Sequence, residues 1–304
     1  MSAREIPNLD QLVDYGHAVA GHAGVLSDAD GELFIKPCTQ KELDFYQSAA
    51  AKFEEFTEIM PLFMGCLSLA DPAEGESKDA TTWKPNKDKR IKTDQAIVLE
   101  NCTNGYKKPN ILDAKLDYGC RIAGMRVYKG SENATELDDD QYKVYDRDYG
   151  RASVTNETFV DAVRQFVFNK AAGIDNALAK AICQGFVQEL QRVEKILETH
   201  ESRMYSASIL FIYEGDVEAL EASINRNNTL AENLEKAHVR PSRIDSGICL
   251  DDEDDEDDEI VFPKVYTVKL IDFAHAKWVP GEGPDENSLV GVRSLRRIFE
   301  ELAA

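Results

Sequence analysis

The sequence predicts an α+β fold with two lobes. Its 304 residues are 43% hydrophobic and 30% charged, a globular composition with enough apolar side chains for a sizeable core. At roughly 150 residues per domain the length suggests two units, either two lobes of one domain or two domains. Strand-like and helix-like segments alternate on both sides of a polar connector that follows residue 100. We therefore expect an N-terminal lobe over residues 1–100 and a larger C-terminal lobe over residues 101–304.

The first hundred residues predict an antiparallel sheet with one helix. Glycines punctuate two short apolar runs, and the second run, Leu33–Ile35, ends on Lys36 and Pro37, which is typical of a hairpin. The next segment, KELDFYQSAAAKFEEF, has apolar residues at helical spacing. A short apolar strand, Ile97–Leu99, then leads into the polar connector.

The remaining chain predicts a mixed α+β lobe. Strand-like segments lie within 109–130, 208–213 and 265–273, and helical stripes lie at 158–168, 176–199 and 287–302. Residues 221–259 are poor in large apolar side chains and end in the acidic run Asp251–Glu259. Because like charges repel one another, we expect an insertion here that is disordered at least in part.

Charge and cysteine content exclude several classes of protein. The net charge is -21, so the surface on average repels phosphate backbones, which argues against direct binding to nucleic acid or anionic membranes. The six cysteines form no CxxC pair, which favours reduced, buried thiols. The N-terminus lacks the pattern of a signal peptide, and no stretch has the ~18 apolar residues of a membrane span. We expect a soluble intracellular protein.

Three features occur in the order that an ATP-dependent, two-lobed kinase needs. Lys36 ends a strand, Ile97–Leu99 leads into a connector, and Asp272 ends a late strand. Such a kinase requires a lysine for the nucleotide phosphates, backbone groups for adenine, and an aspartate for magnesium. Each feature alone is weak, because most strand-end lysines and aspartates are surface or turn residues. The sequence has no GxxxxGK[ST], GxGxxG or HRD motif, which excludes P-loop and ordinary protein-kinase patterns.

Several motifs together resemble the inositol polyphosphate kinase family. Pro109–Lys115 resembles the PxxxDxK part of that family's signature, the strand from Ser208 resembles its SSLL motif, and Ile271–Phe273 resembles its IDF motif. The segments Ala20-Gly-His and Phe34-Ile-Lys-Pro are similar to the fungal multikinases in particular. These motifs cover nearly the whole chain in the family's order. The resemblance implies a two-lobed kinase fold, with an antiparallel sheet in the N-lobe and a larger α+β C-lobe.

The resemblance also implies roles for individual residues. The side chain of Lys36 would contact the ATP phosphates and be braced by Glu42. Adenine would bind the backbone of a hinge, and the ribose hydroxyls would bind Asp113. Lys115 would lie between the γ-phosphate and the inositol hydroxyl as a catalytic cation. The hinge residues would be Val98, Leu99 and Glu100; Asp272 would be a catalytic residue and magnesium ligand, Ser208 a second metal support, and His275 a structural residue rather than a base.

The implied reaction transfers the γ-phosphoryl group of ATP, with Mg²⁺, to a hydroxyl of an inositol trisphosphate or tetrakisphosphate. One alternative is an inositol hexakisphosphate kinase. Another is a scaffold for nuclear transcription-complex proteins with weak or no kinase activity. The resemblance further implies a location in the nucleus and cytoplasm.

The chain departs from the family pattern after Lys115. The family has a segment rich in lysine and arginine there, which holds the inositol phosphates. Here Leu116 is followed by Asp117, where glycine is expected, and the next strand begins almost at once. We interpret this as a missing segment, through loop removal or a truncated gene model rather than natural divergence. Nucleotide binding should survive, whereas turnover of a polyanion depends on cations that are absent. Ala207 also replaces the first serine of SSLL.

Overall fold

The first sheet lies within residues 12–100. The computed structural model describes residues 12–17, 19, 24–68, 93, 95–117, 119–236, 249–250 and 260–304. The first sheet has strand order β1-β2-β3-β5-β4, and all its neighbouring strands are antiparallel. Its elements, with the two helices that lie between β3 and β4, are β1 (Leu12–Asp14), β2 (Leu26–Asp28), β3 (Leu33–Pro37), α1 (Gln40–Lys52), α2 (Glu54–Thr57), β4 (Phe63–Ser68) and β5 (Gln95–Glu100).

The second part of the chain is larger and mixes helices with a second five-stranded antiparallel sheet of order β13-β10-β6-β7-β8. Two short pairs, β9 with β14 and β11 with β12, complete the strands. Together the two sheets and their helices confirm the predicted α+β fold. The elements are β6 (Pro109–Lys115), β7 (Arg121–Tyr128), β8 (Tyr142–Tyr145), α3 (Phe159–Val167), α4 (Asn176–Thr199), β9 (Ser202–Met204), β10 (Ser208–Glu214), α5 (Val217–Lys236), β11 (Cys249–Leu250), β12 (Ile260–Val261), β13 (Tyr266–Ile271), β14 (Ala276–Trp278) and α6 (Glu286–Ala303).

One hydrophobic core joins the two parts. On α1, the ring of Phe45 stacks on Phe273 at 4.8 Å between centroids and on Trp278 at 4.6 Å. Tyr46 of the same helix meets Phe273 edge to face at 5.3 Å. Stacked aromatic pairs of this kind contribute about 1 kcal/mol beyond the area they bury. The helix of the N-lobe is therefore anchored directly behind the end of β13, where Asp272 lies.

Helix α4 confirms the clearest helical stripe of the sequence. Its start is fixed by the Asp175 side chain, which accepts a hydrogen bond from the Leu178 amide at 2.8 Å. The stripe at helical spacing is buried at Ile182, Phe186, Leu190, Val193 and Leu197. Within the part of the chain that the structure describes, no helix is both long and apolar enough to cross a bilayer.

The predicted disordered insertion over 221–259 is wrong for its first part, because residues 221–236 belong to α5. Asp216 caps this helix by accepting a hydrogen bond from the Ala219 amide at 3.1 Å. Leu220 is fully buried, and Asn227 donates to the Pro263 carbonyl at 3.0 Å. Two inward residues seven positions apart are enough to attach a helix whose other faces are polar. The acidic run Asp251–Glu259 lies outside the described residues.

Candidate active site

A cleft of about 850 Å³, including its open mouth, lies between the two sheets. Apolar side chains from both sheets line its walls, among them Phe34 and Leu99 on one side and Ile111 and Leu210 on the other. At one end the lining is ionisable and consists of Lys36, Asp113 and Asp272. The cleft thus pairs an apolar slot, suited to a flat ring, with a charged end.

Lys36 and Asp272 meet at the charged end, although they lie far apart in the sequence. The Lys36 Nζ donates to Asp272 Oδ1 at 2.6 Å and to Glu42 Oε1 at 2.9 Å. Burial alone would lower the pKa of the Lys36 ammonium, but the two carboxylates outweigh burial and raise the pKa. The predicted bracing of Lys36 by Glu42 is present, and the lysine is a fixed cation at neutral pH.

Asp272 follows β13 in the left-handed backbone region, with φ at 68°. Few residues other than glycine adopt this conformation, and aspartate tolerates it better than most at a cost of about 1 kcal/mol. The turn leaves the carboxyl side chain 27% exposed while one oxygen binds Lys36. A strained backbone that presents a carboxylate to a cleft is typical of functional positions.

Asp113, Lys115 and Ser208 lie on neighbouring strands at the same end of the second sheet. Ser208 on β10 is paired with Lys115 on β6 and with Ile271 on β13, so Ser208 lies between the lysine and the strand that leads to Asp272. Burial and then the charge of Asp272 raise the pKa of the Asp113 carboxyl to about 7. Asp113 Oδ1 and Ser208 Oγ are both buried, and the interaction of the Ser208 hydroxyl with Asp113 offsets part of the rise in pKa.

The hinge differs from the prediction at one position. Leu99 and Glu100 line the cleft, but Val98 does not. Val98 lies in the middle strand of three, paired with Ile35 on β3 and Gly65 on β4. Its side chain packs in a separate apolar cluster with Ile35, and the expected contact of its backbone with adenine stays a prediction. The cleft continues instead past Glu100 into Asn101, Cys102 and Thr103.

Several cleft residues have weak or no signals in the sequence. Phe34 lies two residues before Lys36 and therefore on the same face of β3, so strand alternation alone could have identified it. Tyr15 and His17 also line the cleft, but no pattern of their own predicts this. His275 lies outside the cleft, in a second surface pocket with Lys41 and Lys277. In the described residues no group of three or more His, Cys, Asp or Glu side chains could hold a metal.

The connection between β6 and β7, residues 116–120, is as short as the sequence indicates. The Leu116 amide donates to the Ala207 carbonyl at 2.9 Å, and the Leu116 side chain is fully buried. Gly291 on α6 packs against this connection so closely that a Cβ there would lie 2.5 Å from the Gly119 carbonyl oxygen. Leu116 and Gly119 in this connection therefore pack against the rest of the fold.

Comparisons with known proteins agree with this architecture. A family model described as inositol polyphosphate kinase matches residues 116–300. The inositol polyphosphate multikinase of Saccharomyces cerevisiae is 31% identical over 345 aligned positions, which cover 93% of this chain and 96% of that protein. Because that alignment is longer than the 304-residue chain, the yeast protein has residues without counterparts here.

More distant relatives and a solved structure extend the comparison. The human inositol polyphosphate multikinase is 28% identical over 74% of this chain and 56% of the human protein, and human inositol hexakisphosphate kinase 1 is less similar, at 25%. A crystal structure of the multikinase Ipk2 from S. cerevisiae, in complex with ADP and Mn²⁺, is 27% identical and has a TM-score of 0.60 over 89% of this chain and 99% of that chain. The chain belongs to the inositol polyphosphate kinase family.

Proposed function

We propose that the protein is an ATP-dependent inositol polyphosphate multikinase that phosphorylates hydroxyls of inositol trisphosphate and tetrakisphosphate. The observation that carries this proposal is the contact of 2.6 Å between Lys36 Nζ and Asp272 Oδ1 at the charged end of the cleft. The kinase reaction needs this pair, a cation for phosphates and an acid for a metal, in one place. The yeast relative whose alignment covers almost the whole chain is named a multikinase. The similar crystal structure of Ipk2 from S. cerevisiae contains ADP and Mn²⁺.

The residues at the charged end fit a nucleotide with a divalent cation. Mg²⁺ prefers oxygen ligands and is usually held by one or two carboxylates together with substrate phosphates, so a site without a preformed acidic cluster is suitable. Asp272 would hold the ion, and the buried oxygens of Asp113 and Ser208 would bind a ribose hydroxyl or complete the ion's shell. Bound Mg²⁺ would supply charge stabilisation for the transferred phosphoryl group.

The side chains of the cleft would bind the ATP phosphates and orient them toward the acceptor hydroxyl. Lys36 forms ion pairs with Glu42 and Asp272, so its ammonium is already fixed in position before the phosphates bind. Lys115 lies across the strand pair from Ser208 and provides a second cation beside the acceptor hydroxyl. The apolar walls exclude water from the slot, which strengthens these electrostatic contacts.

An assay of phosphoryl transfer tests the proposal. We expect purified protein to transfer labelled γ-phosphate from MgATP to inositol tris- or tetrakisphosphate. We expect Asp272→Asn to lower kcat by about a hundredfold or more, because it removes the carboxylate charge that would hold the Mg²⁺ against the phosphates. A wild-type protein that binds no MgATP in calorimetry would contradict the proposal.

Two alternatives are separated by the same assay. Better turnover of inositol hexakisphosphate than of the trisphosphate would favour the hexakisphosphate kinase. No turnover, with intact nucleotide binding, would favour a scaffold for nuclear transcription-complex proteins, a role that the short connection at residues 116–120 supports because it leaves few cations for an acceptor. Restoring a basic segment there should raise turnover under the kinase proposal and leave partner capture unchanged.

We also propose that the protein is found in both nucleus and cytoplasm, on the similarity to fungal multikinases alone. A fluorescent fusion expressed at native level tests this location. Deleting Asp251–Glu259 in the same fusion asks whether the acidic run contributes to nuclear partner binding.

A further inference from the structure

A short segment near the N-terminus, the strap (residues 15–17), lines the cleft with Tyr15 and His17 and is bonded to both sheets. The Tyr15 amide donates to the Val25 carbonyl at 3.2 Å, beside the pair formed by β1 and β2. The Tyr15 hydroxyl meets Thr103 Oγ1 in the connector at 3.2 Å. The Gly16 carbonyl accepts from Arg126 Nη1 on β7 at 2.9 Å. The strap is thus tied to both sheets and to the hinge.

Arg126 fixes where the strap lies along the cleft. The arginine is buried, its Nη2 pairs with Asp138 at 3.2 Å, and its guanidinium lies 4.2 Å from the ring centre of Tyr142. In the sheet it is opposite Ile111, which precedes Asp113 by two residues on the same face of β6. Two residues of strand span roughly 7 Å, so the strap lies at the hinge side of Asp113, away from the phosphate-binding Lys36.

His17 of the strap has a ring nitrogen without a hydrogen-bond partner in the described part of the chain. Its imidazole lines the cleft and packs edge to face against Tyr15 at 5.9 Å. Its Nδ1 is buried and has no hydrogen-bond partner in the described part of the chain. Burial and then the charge of Arg126 lower the pKa of His17, so near neutral pH the ring is uncharged, with one donor and one acceptor nitrogen. A buried polar atom without a partner is destabilising unless a ligand satisfies it.

We propose that His17 is a nucleotide-binding residue that hydrogen-bonds the base or ribose, and that Arg126 is a positioning residue that holds the strap in place. This inference rests on the proposed function, because it takes the ligand of the cleft to be a nucleotide. A neutral imidazole between an apolar slot and the ribose-facing Asp113 suits an uncharged nucleoside group better than a phosphate.

Calorimetric titration with ADP and Mg²⁺ tests the role of His17. His17→Phe keeps an aromatic ring against Tyr15 but removes both ring nitrogens, so we expect about three- to tenfold weaker binding. In turnover assays the KM for ATP should rise by the same factor while kcat and the KM for the inositol phosphate stay unchanged. His17→Asn, which keeps a donor and an acceptor, should recover part of the affinity. Val13→Ala, an exposed position in β1, is the matched control and should bind as wild type does.

The outcomes separate this inference from the function on which it rests. If the wild type binds ADP and His17→Phe, folded by its thermal transition, binds equally well, the inference is wrong and the function stands. If the wild type binds no ADP, both fail. Arg126→Met tests the positioning role. In the double variant, the loss of ADP affinity should be far smaller than the sum of the losses in Arg126→Met and His17→Phe alone. Strictly additive losses would overturn this role for Arg126.

Discussion

At the charged end of the cleft, three carboxyl groups compete for two ammonium groups. Glu42 and Asp272 share Lys36, while Asp113 is buried beside them with Lys115 as the nearest other cation that lowers its pKa. As long as Asp113 is ionised the group carries a net negative charge, which a low-dielectric site tolerates poorly. The raised pKa of Asp113 is the physical result. A divalent cation beside these carboxylates would relieve the same imbalance.

Asp113 should therefore make stability depend on pH. Burial and the neighbouring charge of Asp272 raise its pKa to about 7 in the folded protein, so the fold is favoured when this carboxyl is protonated. The contribution is complete below about pH 4 and is lost as the pH rises through 7. We expect Asp113→Asn to gain stability relative to wild type between pH 5 and 8, measured by urea midpoints. The same dependence of the urea midpoint on pH in the two proteins would contradict this. Asp14→Asn, which changes an exposed aspartate, is the control.

At the scale of elements, α1 couples the two lobes chemically as well as mechanically. One face of this helix supplies Glu42 to Lys36, and the next turn supplies Phe45 and Tyr46 to Phe273. Phe273 directly follows Asp272, so the helix contacts Lys36 through Glu42 and the neighbour of Asp272 through Phe45 and Tyr46. A shift of α1 would change the position of the lysine and of the aspartate together.

The packing of helix α5 can be tested at Leu220, which lies just before the predicted insertion over 221–259. If α5 did not pack on the rest of the fold, Leu220→Ala would change stability little. Because Leu220 is fully buried, we expect a loss of about 2 to 5 kcal/mol in the free energy of unfolding. Leu62→Ala makes the same chemical change at a side chain that is 58% exposed and should cost about 0.5 kcal/mol or less. Equal effects in chemical denaturation would show that α5 does not pack.

At the scale of the whole molecule, strong local periodicity predicted the fold and motif order predicted the charged end. The stripe of α4 and the strand before Asp272 are such cases. The place of Val98 in the middle of three strands could not be predicted, because spacing shows that a strand leads to a hinge but not which strands pair with it. The strap could not be predicted, since the placement of Tyr15 and His17 depends on long-range bonds to Thr103 and Arg126. Contacts of that kind leave no period in the sequence.

A single core that includes α1, α4, α6 and the second sheet should make the two lobes unfold together. We expect circular dichroism to record a single thermal transition, whose midpoint temperature rises when ADP and Mg²⁺ are added. At a ligand concentration of 100 times Kd the gain is about 2.7 kcal/mol. Two transitions, of which ligand moved only one, would mean that the stacking of Phe45 on Phe273 is too weak to couple the lobes. Phe45→Ala is the variant expected to bring the protein toward two transitions, because it removes the stacked ring without changing the residues Lys36, Glu42 and Asp272 themselves.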